Sequence, residues 1–173
     1  MTTNEENKSA MLKKLIQYFV YNTKGQITKT QLFKFIYLAD LYSVKWTGKQ
    51  FTELEWCLYL HGPWTKEIEN ALAQMDGKEI IQEKSESASL IRIGPQSTKE
   101  MVNGLDLPDG VELLLENIRR EWAGTTKENI QNLLEYVYET APMVEARNNH
   151  LPEEKATLNL KKEREKLLAE LEV

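Results

Sequence analysis

Between Leu32 and Trp46 apolar side chains occupy every face of one helical stretch. Leu32, Phe35, Ile36, Ala39 and Trp46 follow the three-and-four spacing of one stripe, while Phe33, Tyr37, Leu38 and Leu41 fill the faces between them. A surface helix carries a single apolar stripe, whereas a helix apolar nearly all round is packed on several sides. The segment therefore demands a shell of other elements and is read as the central helix of the fold. Thr28 and Gln31 open it in capping-box spacing. Twelve of the fifteen aromatic residues lie between Tyr18 and Trp64, which places the hydrophobic centre in the first third of the chain. A chain of 173 residues buries roughly 70% of its unfolded surface, enough to build that shell as one domain without a metal or a disulfide.

The shell reads as mostly helical. Leu12, Leu15, Ile16, Phe19 and Val20 predict a first helix over 9–24 that Gly25 ends. Thr65 starts a third helix with Ile68, Ala71, Leu72 and Met75 on one face, stopped by Gly77. A short helical piece comes after Ser97, and Val111, Leu114, Leu115, Ile118 and Trp122 predict a helix over 109–123. Ile130, Leu133, Leu134, Val137, Tyr138 and Ala141 make the cleanest amphipathic pattern, opened by Thr125 or Thr126, with Pro142 and Pro152 punctuating the chain after it. Trp56 to Leu60 reads as a short extended segment closed by a reversal at His61-Gly62-Pro63, and 79–93 as a β-hairpin about Ser85-Glu86-Ser87. Beyond Pro152 the composition shifts to Lys, Glu and Leu, with apolar residues at Leu158, Leu160, Leu167, Leu168 and Leu171, read as an appended helix that docks on its own domain, with a helix that pairs with a partner chain as the alternative. The expected fold is mainly α within the α+β class: a compact helical domain with a small β-strand and hairpin element of three strands or fewer, in winged-helix-like order, plus a C-terminal helix. Its expected parts are a flexible N-terminus at 1–8, the helical domain at 9–149 and a C-terminal helical extension at 150–173.

Charge and rare residues narrow the function classes. Twenty-two Lys and Arg against 27 Asp and Glu leave a net charge of −5, which argues against a whole surface that grips nucleic acid. The first 50 residues nevertheless carry eight Lys and three acids, so Lys13, Lys14, Lys24, Lys29 and Lys34 offer a local basic face. Winged-helix order suggests the third helix as a DNA reader, yet it carries Lys66 against Glu67, Glu69 and Asp76 where phosphate contact calls for Lys and Arg. Cys57 is the only cysteine, which excludes an intramolecular disulfide and a Cys-based zinc site. No apolar run approaches the ~18 residues of a membrane helix, and the start from Met1 to Ser9 lacks a signal-peptide core; the expected location is cytoplasmic, away from membranes. His61 and His150 are the two histidines, neither in a nucleophile or zinc motif, and no strand leads into a Gly-rich phosphate loop. The expectation is therefore no enzyme, no cofactor and no metal.

Individual residues stand out against this background. Asp40 lies in the most apolar helix, so its carboxylate must be paired, capped by donors or at an edge; it reads as a hydrogen-bond acceptor for a neighbouring loop, with a site role as the alternative. A minor enzymatic reading would use Asp40 with His61 and requires the two to share a cleft. His61 otherwise fixes its turn. Trp46, Trp56 and Trp64 read as core or half-core, and an exposed one becomes an interface anchor, because tryptophan is enriched at hot spots.

The run Leu32-Phe33-Lys34-Phe35-Ile36-Tyr37-Leu38-Ala39-Asp40 resembles the "KLLYLAD" helix of the Panacea domain, the SocA-like family of phage-associated and antitoxin proteins. Thr47-Gly48, the segment Tyr59-Leu60-His61-Gly62-Pro63-Trp64 and the helix around Ile130 to Tyr138 with Ala141-Pro142 after it are similar to the later segments of that domain. The resemblance covers about residues 10–147. It implies a mostly helical domain with a small β element, without known catalysis, whose members commonly neutralise a protein toxin encoded beside them. On this reading the chain is a protein-interaction domain that binds a cognate toxin stoichiometrically, with an interface on the order of 1,600 Å², and a homodimer is compatible with it. Its candidate partner-binding or family-motif residues are Asp40, Trp46, Tyr59, His61, Gly62, Pro63 and Trp64, and the candidate surface lies near Trp46, Trp64 and the C-terminal helix. The alternative is a phage- or prophage-associated regulator that contacts nucleic acid through the N-terminal basic face.

Overall fold

A computed structural model describes residues 3–59, 62–151 and 154–172. Helix α1 (Thr3–Asn22) leads into strand β1 (Ile27–Thr28) and the central helix α2 (Lys29–Thr47). Strands β2 (Cys57–Tyr59) and β3 (Gly62–Trp64) precede α3 (Lys66–Met75), which leads to the hairpin β4 (Ile80–Lys84) and β5 (Ser89–Ile93). Helices α4 (Lys99–Asn103), α5 (Val111–Trp122), α6 (Lys127–Tyr138) and α7 (Ala141–Asn149) come next, then β6 (Ala156–Thr157) and α8 (Lys161–Leu171). The mainly helical α+β class is as expected.

Every residue of α2 from Gln31 to Leu41 is buried, as an all-round apolar helix requires. Its N-terminus is a complete capping box: the Gln31 amide donates to the Thr28 hydroxyl at 3.0 Å and the Thr28 amide to the Gln31 side chain at 2.9 Å. The side-chain nitrogen of Gln31 donates to the Gly124 carbonyl at 2.7 Å and ties the connection between α5 and α6 to the same end. Gly48 ends the helix in the left-handed conformation that an L side chain resists. Helices α1, α5, α6 and α8 surround α2, and the core runs continuously from Leu12 in α1 to Leu160 ahead of α8.

Two antiparallel three-stranded sheets stand in place of the expected single small β element. In the first, β1 pairs with β5 and β5 with β4, with Ile27 opposite Ile91; a strand after the first helix pairing with the far strand of the late hairpin is the winged-helix-like order. The second comes from β2 and β3, which pair with Tyr59 opposite Gly62, and from the tail, where Thr157 lies opposite Cys57 and Ala156 opposite Leu58. Ala156, Leu158 and Leu160 are all buried. Leu158 and Leu160 thus lie in the segment between β6 and α8, not on the face of a C-terminal helix. Only α8 remains of that helix, with Leu168 and Leu171 exposed, and it packs along α2 and α7. Pro142 also acts differently from the punctuation expected of it. It sits in the first turn of α7, where its missing N–H has no intrahelical partner to lose.

Candidate functional site

The site is built outward from Asp40, which is fully buried midway along α2. One carboxylate oxygen accepts from the Thr52 amide at 2.6 Å. The other accepts from the Trp56 indole at 2.8 Å, from the Gln50 side-chain amide at 3.0 Å and from the Thr52 hydroxyl. Burial pushes the carboxyl up to about 6, against the pull of these donors, so it is ionised at neutral pH. Asp40 is the loop acceptor of the sequence reading. It fastens residues 50–56 to the central helix and thereby sets where β2 begins. With no exposed atom it touches no partner directly, and His61, its counterpart in the enzymatic reading, lies outside the described residues.

Beyond that anchor the β2–β3 hairpin lies over the N-terminal half of α2 and leaves a groove of about 400 Å³. Tyr59, Gly62, Pro63 and Trp64 line it from the hairpin, and Phe33 and Lys34 from the helix. Four of the seven candidate residues therefore share one feature. Tyr59 is 40% exposed, and its ring sits 5.1 Å from that of Trp64, tilted by 46°. The Lys155 ammonium stands 4.8 Å from the Trp64 ring and 5.8 Å from that of Tyr59, in the range of a cation–π contact. At the rim Lys29 pairs with Glu69 at 2.6 Å.

Trp46 is elsewhere. It is 65% exposed in the last turn of α2, twelve residues beyond Lys34, or about 18 Å along a helix axis. Arg164 of α8 donates to the neighbouring Lys45 carbonyl at 3.0 Å. The surface expected near Trp46, Trp64 and the C-terminal helix is thus two places, Trp46 with α8 and Trp64 with the groove.

Lys34 is the residue that sequence reasoning misplaces. Counted among surface lysines, it is 6% exposed at the base of the groove and has no hydrogen-bond or ion-pair partner among the described residues. Burial alone lowers its ammonium to about 8. A side chain at Gly62 would place its Cβ 2.9 Å from the Lys34 Nζ, so glycine there leaves room for the ammonium. The argument that singles out Asp40, a lone charge in an apolar helix, applies equally to Lys34 between Phe33 and Phe35. The basic face loses other members too, since Lys29 is paired and Lys14 donates to the Asp106 carbonyl at 3.0 Å.

A depressed lysine contributes stability that is present above its unfolded value near 10.5 and lost as pH falls through about 8. Lys34→Met is therefore expected to stabilise the fold at pH 7 by about 2 kcal/mol. Urea denaturation should also show the wild type gaining roughly 1 kcal/mol on the variant between pH 7 and 9.

Among the described residues no group of three or more His, Cys, Asp or Glu is placed to hold a metal ion, and no helix is long and apolar enough to cross a membrane. A comparison with curated proteins returns no match. The family profile described as antitoxin SocA-like, Panacea domain, matches residues 32–142, a narrower span than the 10–147 of the sequence resemblance. It runs from the first turn of α2 through the Asp40 anchor and both walls of the groove to Pro142 of α7, well over half of the 173 residues. On that match the chain belongs to the SocA-like antitoxin family that carries the Panacea domain.

Proposed function

We propose that this chain is an antitoxin that neutralises a cognate protein toxin by direct stoichiometric binding, without catalysis of its own. The observation that carries the reading is the family match over residues 32–142. The groove supports it, because a half-open aromatic pair beside Lys34, a cation with no ion-pair partner among the described residues, offers both the apolar anchor and the polar contact that interface centres use. Nucleic-acid binding through the N-terminal lysines draws less support, since Lys34 is buried and Lys29 is paired, while phosphate tracking needs several free cations.

The test is affinity purification of the tagged chain from its native cells at moderate salt, with mass spectrometry of the retained proteins. The expected result is one stoichiometric protein, toxic when expressed alone and harmless when co-expressed with this chain. Recovery of the chain alone, or with nucleic acid, overturns the reading.

A further inference from the structure

We infer that the groove between α2 and the β2–β3 hairpin is a carboxylate-recognition pocket of the partner-binding surface. In it the Lys34 ammonium closes a salt bridge with an acidic side chain of the bound protein, beside an apolar contact to Tyr59 and Trp64. The inference rests on the antitoxin reading for the identity of the bound protein.

An ammonium removed from water without a counter-charge destabilises a fold, and folding gains nothing from this one that an apolar side chain between Phe33 and Phe35 would not supply. The ammonium is not enclosed in the core, where it would simply be a defect, because it lines an open groove. A Cβ at position 62 would stand 2.9 Å from the Nζ, so glycine there keeps that space open. The missing counter-charge therefore has a way in and a place to sit.

The count of free charges sets the ligand class. Lys29 is committed to Glu69, and Lys155 stands over the aromatic pair at the rim. One uncommitted cation at the base matches a monoanion, and a protein partner supplies that as Asp or Glu. A nucleic-acid strand would present phosphates in series to a groove whose base holds one cation. The apolar walls from Phe33, Pro63 and the two rings suit the methylene stem of an acidic side chain and an apolar neighbour. A pair closed in such a groove is shielded from water and from salt, unlike an exposed bridge.

Two measurements separate this inference from the reading it rests on. With the full-length chain and the toxin that copurifies with it, Lys34→Met is expected to weaken binding at least tenfold. Gly62→Ala, which presses on the ammonium, should weaken it several-fold, and Leu113→Ala, exposed on α5 and outside the groove lining, should change it less than twofold. Equal binding by wild type and Lys34→Met, with the variant folded, overturns the pocket and leaves the antitoxin reading standing. If no toxin copurifies, that reading fails and the pocket is decided on the chain alone. Sodium acetate is then titrated into protein carrying ¹³C-labelled lysine, with the Lys34 Cε signal assigned by its absence in Lys34→Met. A saturable shift with acetate that sodium chloride at matched ionic strength does not produce supports a carboxylate site. An equal response to both salts overturns it, and so does a shift with inorganic phosphate alone.

Discussion

Replacing Asp40 with alanine is expected to destabilise the protein by about 4 kcal/mol in urea denaturation at pH 7. The loss is large because four donors converge on the carboxylate, from Thr52, Gln50 and Trp56. Alanine would leave the Thr52 amide and hydroxyl and the Trp56 indole without their acceptor and open a void beside them, while the Gln50 amide keeps the Leu54 carbonyl at 2.7 Å. Asp40→Asn keeps one acceptor oxygen but turns an NH2 group toward a donor, so about half of that loss is expected. The pH dependence has a sign that separates Asp40 from an ordinary surface acid. Its folded value is raised, to about 6, so its contribution is full below the unfolded value near 4 and is lost as pH rises through 6. That loss amounts to about 3 kcal/mol, and Asp40→Asn, with nothing to titrate, should not show it. The carboxylate is thus costly to bury in ionised form and costlier to remove, as expected of a buried charge on which several donors converge. A gain in wild-type stability from pH 4 to pH 6, relative to the Asn variant, would contradict this account. Because the 50–56 loop carries β2 into place, the same variants should weaken partner binding through the hairpin without touching the partner.

The contrast between Asp40 and Lys34 shows how much of the site is legible in the sequence. Both are single charges in the same apolar run, and burial follows for both from the all-round pattern of α2. The pattern places Asp40 correctly because its short, charged side chain conflicts with every neighbour. Lys34 groups instead with Lys29 and the lysines of α1, since long side chains on a helix ordinarily carry their charge out to water. Here the hairpin lies over that exit, and the hairpin is held there by a contact sixteen residues apart in sequence, Trp56 with Asp40. Local signals read well: the Thr28–Gln31 box and the start of α6 at Thr126 both hold. The illegible part is non-local. Ala156 and Thr157 have no periodicity of their own and become a strand because β2 offers an unpaired edge. Trp46 and Trp64 look adjacent in an aromatic-rich region, yet the length of α2 separates them.

Removal of residues 151–173 is expected to lower the melting temperature by about 10 °C or more. Leu158 and Leu160 are each 5% exposed, and each contributes roughly 1.5–3 kcal/mol by burial, against a total of about 5–15 kcal/mol for a domain. At roughly 2–4 °C per kcal/mol for a chain of this size, the two leucines alone account for that shift. The backbone suffers as well: β2 loses its β6 partner, and the Trp56 carbonyl loses the Leu158 amide at 2.9 Å. The N-terminal amide of α7 at Ala141 loses the Glu163 carboxylate that accepts from it at 2.7 Å. A shorter deletion, 167–173, keeps all of these contacts and removes half-buried Leu167 with exposed Leu168 and Leu171, so it should cost about 1 kcal/mol. Differential scanning calorimetry of the two truncations therefore distinguishes a tail that completes the core from one that only serves a partner. Both truncations melting with the wild type, with toxin binding lost, would make 150–173 an attached module. The family match ends at Pro142, yet the edge of the sheet that frames the groove is closed by residues beyond it. The expected order, large loss for the long deletion and small for the short one, would make the groove depend on a strand that this chain adds to its Panacea domain.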